Sequence, residues 1–376
     1  MKTDVHPSLV SRAVSRGSAM VIGAGIAGST AARILHDHGH RVTLLDKGRG
    51  PGGRLSSRRG KDVRHDHGCQ VLRLRGECLR KFQKRWEEDG VIARWNPRIL
   101  EHGRVTPAPA DPWYVGMPAM NGLVRHLQTD LDVRFGGRVA RLERIGSGWR
   151  AFDDSNKILE EAQRVIVAAP APQSAVLLGS AGVNCEMIDA VRFDPTWTLM
   201  LTDVHHDLDD LDDSDDSDNL DDSDHPDAPG FDVAVDPLPG IRWMANEDSR
   251  PGRVRRGAWT VHATPDWTRD RLESEPAAIE TQLRRMASEV FGVSVDRPGT
   301  VHRWRYALVA SPLGSDTFHD PATGLLACGD WCLGGRVEHA IQSGTAAAEH
   351  LIHDSSFISV NDPNPSPPTS FESTEE

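Results

Sequence analysis

Gly23, Gly25 and Gly28 stand in the run SAMVIGAGIAGSTAARILHDHGHRVTLLD, and no other stretch restricts the fold of this chain as strongly. Ala19 to Gly23 reads as a buried strand. From about Ile26 to His38 the apolar residues recur with helical period until Gly39 stops them, and Arg41 to Asp46 reads as a second strand. Strand, glycine turn, helix and strand make a βαβ unit. The first glycine permits a tight turn, the second lets a ligand approach the backbone, and the third allows close helix–strand packing. The helix N-terminus offers partial positive charge to a diphosphate. Asp46 follows Gly25 by 21 residues, where a carboxylate can bind ribose hydroxyls. The unit predicts that Gly23, Gly25, Ile26, Ala27, Gly28 and Asp46 hold a dinucleotide.

The second strand runs directly into LLDKGRGPGGRLSSRR, where five glycine or proline breakers and five basic residues share sixteen positions. A glycine turn of this kind brings backbone N–H groups against something, and the basic residues suggest that it is anionic. Composition alone also suits a mobile basic loop. A simple NAD fold would continue through further βα units; this chain instead goes on to hairpin strands in DVRFGGRVARLERIGSGWRAFDD and a short buried strand in EAQRVIVAAPAP. A last strand and helix follow in TGLLACGDWC and RVEHAIQSGTAAAEHLI. The expected organisation is therefore discontinuous. Residues 19–75, 131–178 and 322–353 form the nucleotide lobe, 76–130 and 179–321 a substrate lobe, with an N-terminal extension over 1–18 and a tail over 354–376.

The chain is long enough for two lobes, and the location of its charge matters more than its sum. The net charge is −12, yet Asp207 to Asp227 alone carries 12 aspartates and no Lys or Arg, so the remainder is formally neutral. That leaves no case for nucleic-acid binding. The acidic run, within 205–229, is expected to be a solvated, disordered insertion, since it lacks the turning glycine of a calcium loop. Neither it nor the proline-rich tail is expected to carry chemistry. Cys69, Cys78, Cys185, Cys328 and Cys332 are scattered without paired metal-ligand spacing, which argues against a disulfide framework or a zinc site. His65 and His67, and the pair His205 and His206, lack a third ligand at helical or hairpin spacing, so no metal is expected. With no apolar leader or membrane-length run, the expectation is a soluble cytoplasmic protein with no membrane partner. Nothing in the sequence sets an oligomeric state.

GRGPGGRLSSRR resembles the R-x-G-G-R signature of the flavin amine oxidase superfamily. The resemblance assigns Gly52, Gly53 and Arg54 to the diphosphate of FAD, with Lys47, Arg58 and Arg59 as supporting charge or a solvated rim. In CGDWCLGGRVEHAIQSG it places Gly329 and Asp330 at the ribityl chain and a helix N-terminus at the flavin ring. Val139, Val337 and Ala340 complete the implied contacts, and the FAD is expected to be non-covalent. Cys332 is close enough in sequence to suggest a covalent tether but lies in the wrong local motif. The implied fold is α/β with two lobes: a Rossmann-like FAD lobe of the glutathione-reductase/amine-oxidase type, and a discontinuous substrate lobe with a mixed β-sheet and helices.

DKGRGPGGRLSSRR, DHGCQV, YVGMPAMNGLVRHL, RVIVAAPAPQSAVLL, HRWRYAL and CGDWCLGGRVEHAIQSG also follow the order and spacing of renalase-like FAD-dependent oxidoreductases, over most of residues 19 to 352. His339 and His65 depart from that pattern and put substrate details in question. The resemblance implies an oxidase: a dihydronicotinamide isomer of NAD(P)H gives up a hydride, and dioxygen takes the electrons to yield hydrogen peroxide. Such a transfer needs positioning more than acid–base residues. Trp304, Arg305, Tyr306, Trp331 and Arg336 are the candidate substrate contacts, with structural roles equally open to the aromatic ones. A fixed cation at Arg336 favours an anionic substrate over a cationic amine. Oxidation of a small amine is the alternative, as is a flavin-free protein-binding module resembling GDP-dissociation inhibitors.

Overall fold

The computed structural model describes residues 17–60, 63–75, 77–204 and 230–354. The acidic insertion with His205 and His206, most of the N-terminal extension and most of the tail lie outside the described residues.

A six-stranded sheet forms the nucleotide lobe in the order Phe318–Asp320, Leu325–Ala327, Arg164–Val167, Ser18–Ile22, Arg41–Asp46, Asp132–Phe135. Every adjacent pair is parallel except the antiparallel edge made by Phe318–Asp320. The inner strands read as continuous apolar runs, AMVI, VIV and LLA, because both faces are covered. One face packs against the helices Ile26–Asp37 and Val337–His353. Their approach is close: a Cβ at Gly344 would sit 2.3 Å from the Ala27 carbonyl oxygen. The other face is covered by a three-stranded antiparallel sheet, Arg141 to Ala162, and the helix Ala171–Gly179.

The second sheet has seven strands, ordered Thr300–Ser311, Arg192–Leu201, Trp259–Ala263, Ile241–Asn246, Val233–Leu238, Ile99–Glu101, Arg104–Thr106. It is mixed, since Val233–Leu238 pairs parallel with Ile99–Glu101 and the other pairs are antiparallel. Its sequences alternate with period two. Trp197, Leu199, Leu201, Trp259, Val261 and Ala263 point to one face, where the helix Pro276–Phe291 buries them with Ile279, Leu283 and Ala287. Gly292, in the left-handed conformation at φ 75°, ends that helix. Thr196, Thr198, Thr260, His262, His302 and Trp304 alternate with them and so face the nucleotide lobe. The α/β two-lobe architecture expected from the sequence is the one observed.

Candidate active site

Between the two sheets lies a cleft of about 1590 Å³, larger than the 300–1,000 Å³ or so of a single small-ligand pocket. Gly23, Gly25, Ile26, Ala27, Asp46, Lys47, Gly52, Gly53, Arg54, Val139, Gly329, Asp330, Val337 and Ala340 all border it, as do Trp304, Arg305, Tyr306, Trp331 and Arg336. Gly28 sits behind the turn rather than on the wall: a Cβ there would be 2.0 Å from the Gly23 carbonyl oxygen.

The cradle at one end is backbone. Gly25 caps the helix Ile26–Asp37 without any side-chain hydrogen bond, and nothing lies within 4 Å of where its Cβ would be, so the N-terminal N–H groups open on the cleft. The double-glycine turn closes onto this edge through a bridge between Gly25 and Gly52, with the Gly52 N–H donating to the Ala24 carbonyl at 3.3 Å. A second helix, Val337–His353, also starts at the cleft with no side-chain cap on its N-terminus. Asp46 accepts the backbone N–H of Ala24 and of Gly48, each at 2.6 Å, which fixes its carboxylate at the strand end. Lys47 donates to Gln173 Oε1 at 2.8 Å. Arg54 grips Asp330 in a two-pronged pair at 2.7 and 2.5 Å and donates to the Ala307 carbonyl at 3.3 Å. That pair ties the double-glycine turn to the C-terminal strand and to the second sheet. Open helix N-termini, glycine walls and basic groups fit an extended, diphosphate-bearing dinucleotide such as FAD.

The other end is made of side chains on the second sheet. Trp243 stands opposite His262, His262 opposite Thr198, and Thr198 opposite His302, a single row across four strands. Trp304, one row along, donates its indole N–H to the His67 carbonyl at 3.0 Å and lies against His67 and His302. Burial leaves these imidazoles neutral: it pushes His67 down to about 4, helped by His302 and Arg58, and His262 down to about 3. His302 moves in the same direction for the same cause.

A buried ion network sits behind this wall. Asp66, Glu247, Arg250 and Arg253 are all withdrawn from solvent. Arg250 Nε is 3.0 Å from Glu247 Oε2, and its other nitrogens donate to the Gln70 carbonyl and Oε1 at 2.8 and 2.7 Å. Asp66 accepts from Ser57, Arg253 and the Met120 N–H, while its own N–H donates to Glu247 at 2.9 Å. Burial raises the Glu247 carboxyl above the usual range, with Asp66 adding to it and the arginines opposing. The network fixes the segment His67–Gln70 along the cleft.

Several sequence-based roles change. Trp331 borders the cleft but is fully buried, with its indole N–H donated to the Ala169 carbonyl at 3.0 Å. Arg305 is engaged by Glu273 at 2.5 and 2.8 Å. Arg336, cast as the anion-selecting cation, donates to Glu338 Oε1 at 3.1 Å and is partly neutralised there. Tyr306 packs edge-on against Phe193 at the cleft margin. His339 lies within hydrogen-bond reach of the Gly334 carbonyl, 2.7 Å, and does not border the cleft; neither does His65. Cys332 is buried away from the wall, its thiol pushed up to about 12 by burial, which agrees with a non-covalent cofactor.

Sequence reading missed the Trp243–His262–Thr198–His302 row and the ion network. The alternation in WTVHA and TWTLML signals the first, although only the strand register brings its members together. The second has no local signal. Among the described residues no group of three His, Cys, Asp or Glu is placed to hold a metal ion, and no helix is long and apolar enough to cross a membrane.

Comparison with known proteins adds the family. Residues 104–352 match the model of the flavin containing amine oxidoreductases, and residues 21–86 match an NAD(P)-binding Rossmann-like domain. The tRNA 5-methylaminomethyl-2-thiouridine biosynthesis bifunctional protein MnmC of Delftia acidovorans is 27% identical over 246 residues, 51% of this chain and 37% of that protein. This chain thus matches little more than a third of that relative's length. Among solved structures, cyclohexylamine oxidase from Brevibacterium oxydans superposes with a TM-score of 0.63 at 12% identity, covering 89% of this chain and 98% of that one. An oxidoreductase from Methanosarcina mazei gives 0.60 at 14%, covering 88% of this chain and 100% of that one. At these identities the structures establish a shared fold.

Proposed function

We propose that this chain, which belongs to the flavin containing amine oxidoreductase family, is a renalase-like, FAD-dependent oxidase of a dihydronicotinamide isomer of NAD(P)H. The observation that carries the substrate reading is the charge of the cleft: eleven Lys and Arg residues border it against two carboxylates, Asp46 and Asp330, and after Arg54, Arg138, Arg303, Arg305 and Arg336 are set against their carboxylate partners, six cations remain without one among the described residues. Such a cleft draws in a phosphate-bearing molecule and repels a protonated amine. When bound, FAD supplies the two-electron step, so that hydride from the substrate, one proton and O2 leave as H2O2.

The chain's own part is to bind and orient. The N-terminus of the helix Ile26–Asp37, the Gly52–Gly53 turn and Arg54 hold the diphosphate, Asp46 the ribose, and Asp330 with the N-terminus of Val337–His353 the ring end. Trp304, His67 and His302 wall the substrate side and keep water from one face of it. Neutral imidazoles there neither donate charge nor compete for the hydride, in keeping with a reaction that needs alignment rather than acid–base catalysis. We place the work in the cytoplasm, with O2 and one small molecule as partners.

The test is the visible spectrum of the purified protein, followed anaerobically after partly isomerised NADH is added. Bleaching by the isomers, with recovery and peroxide when air is admitted, supports the reading. A flavin that ignores them and bleaches with small amines transfers the answer to amine oxidation. A protein that takes up no FAD sinks both and leaves the protein-binding alternative.

A further inference from the structure

Three polar atoms of residues on the cleft wall are buried without a hydrogen-bond partner among the described residues: Trp243 Nε1, His262 Nε2 and His67 Nδ1. An unpaired buried polar group is costly, so three together on one wall are a standing demand for a ligand. Trp243 and His262 stand side by side in the row, and His67 covers its far end through His302, with ring centroids 5.0 Å apart. These atoms differ in what they offer. Indole N–H only donates, whereas a neutral imidazole does either. A carboxylate would leave acceptors unused, and an ammonium could not meet the indole; a carboxamide, with one carbonyl and one NH2, suits the set.

Two cations flank the row. Strand pairing shifts between Ile241 and Trp243, so Arg242 is the extra residue of a bulge. Ile241 and Met244 therefore stay in the apolar core while Arg242 and Trp243 both border the cleft. Arg58 sits opposite His65 on the short strand pair leading to His67. Both arginines are exposed and border the cleft, and among the described residues neither meets a carboxylate, unlike Arg54, Arg305 and Arg336.

We propose that this surface is a two-part recognition subsite: Trp243, His262 and His67 take the carboxamide of the substrate ring, and Arg58 with Arg242 take an anionic group on the same molecule. It rests on the dihydronicotinamide reading above, and it names which residues choose the substrate.

Binding of unreactive, oxidised ligands to the FAD-loaded protein tests it without turnover, read by calorimetry and by tryptophan fluorescence. The probes are nicotinamide mononucleotide, its dephosphorylated riboside, and nicotinic acid mononucleotide, which exchanges carboxamide for carboxylate. The expected order places nicotinamide mononucleotide about tenfold or more tighter than either of the others, a difference of about 1.4 kcal/mol. Arg58→Ala with Arg242→Ala, both at exposed positions, is expected to erase the preference for the phosphate. His262→Phe, which removes an acceptor that only the carboxamide NH2 can use, is expected to erase the preference for carboxamide over carboxylate while keeping that for phosphate. Equal binding of the three probes, no binding at all, or preferences untouched by both variants overturns the subsite. The oxidase reading fails separately: if the probes bind in this order but dihydronicotinamides do not bleach the flavin, the subsite stands and the reaction does not.

Discussion

The two ends of the cleft are built from different material. The cradle presents main chain, held by positive-φ glycines at Gly23, Gly52 and Gly53 and by two helix N-termini. The floor presents side chains, carried in register on a sheet whose opposite face is independently packed under the helix Pro276–Phe291. Main-chain recognition cannot be altered without moving the backbone, and so it suits a part of the ligand that does not vary. Side-chain recognition can be altered one residue at a time over an unchanged core, and so it is where substrate choice can change.

The most direct way to break this contrast is Gly28→Val. A Cβ at that position meets the Gly23 carbonyl oxygen and, at 2.9 Å, the Ala168 Cβ, so the helix must back away from the turn. We expect a cost of about 3 kcal/mol and a loss of most bound flavin, measured by denaturant midpoint and by the ratio of flavin to protein absorbance. His262→Phe on the floor should leave the flavin ratio unchanged. Equal flavin loss in both variants would end the distinction between the two regions.

Arg250→Met tests what joins them. It leaves Asp66 and Glu247 buried with one cation fewer, a change worth about 3–5 kcal/mol in folding stability. Because the same network holds His67–Gln70 against the cleft, flavin affinity and substrate-probe affinity should fall together. Loss of stability alone, with both affinities kept, would show that the network is a fastening and not a positioning device.

The same contrast explains what could be read from the sequence. The cradle depends on neighbours in the chain, so Gly23 to Asp46 announces strand, turn, helix, strand and carboxylate at once. Arg54 and Asp330, 276 residues apart, are each found from their own glycine motif. The floor depends on register. His262 and Thr198 are separated by a segment that includes two strands, and a one-residue slip would turn His262 away from the cleft. The bulge that brings Arg242 onto the cleft is likewise a property of strand pairing. Arg336 was legible as a cation but not as one already engaged, since Glu338 follows it by two residues on a helix start whose geometry the letters do not supply.

Acid should separate the regions further. His67 titrates at 6.5 when unfolded and at about 4 in the folded protein, so between those values the unfolded chain binds the extra proton. Stability present above pH 6.5 is therefore lost as the pH falls towards 4, by about 3 kcal/mol for this residue. His67→Gln should flatten that part of the profile of melting temperature against pH. An unchanged slope would mean that His67 is solvated in the folded state and is not part of a dry floor.

The smallest expected effect is at Arg336. On the sequence alone, Arg336→Tyr should weaken the use of dihydronicotinamides by removing the cation that meets phosphate. In the structure its guanidinium donates to Glu338, and its side chain is 58% exposed at the mouth. A solvated pair of this kind contributes roughly 0–1 kcal/mol, so we expect Arg336→Tyr to change kcat/KM for a phosphate-bearing donor by no more than about fivefold. The Arg58 and Arg242 double variant should exceed that, because among the described residues neither cation has a carboxylate to share its charge with substrate. If Arg336→Tyr proves the more damaging, the anion is read at the helix N-terminus beside Val337 and recognition returns to the cradle.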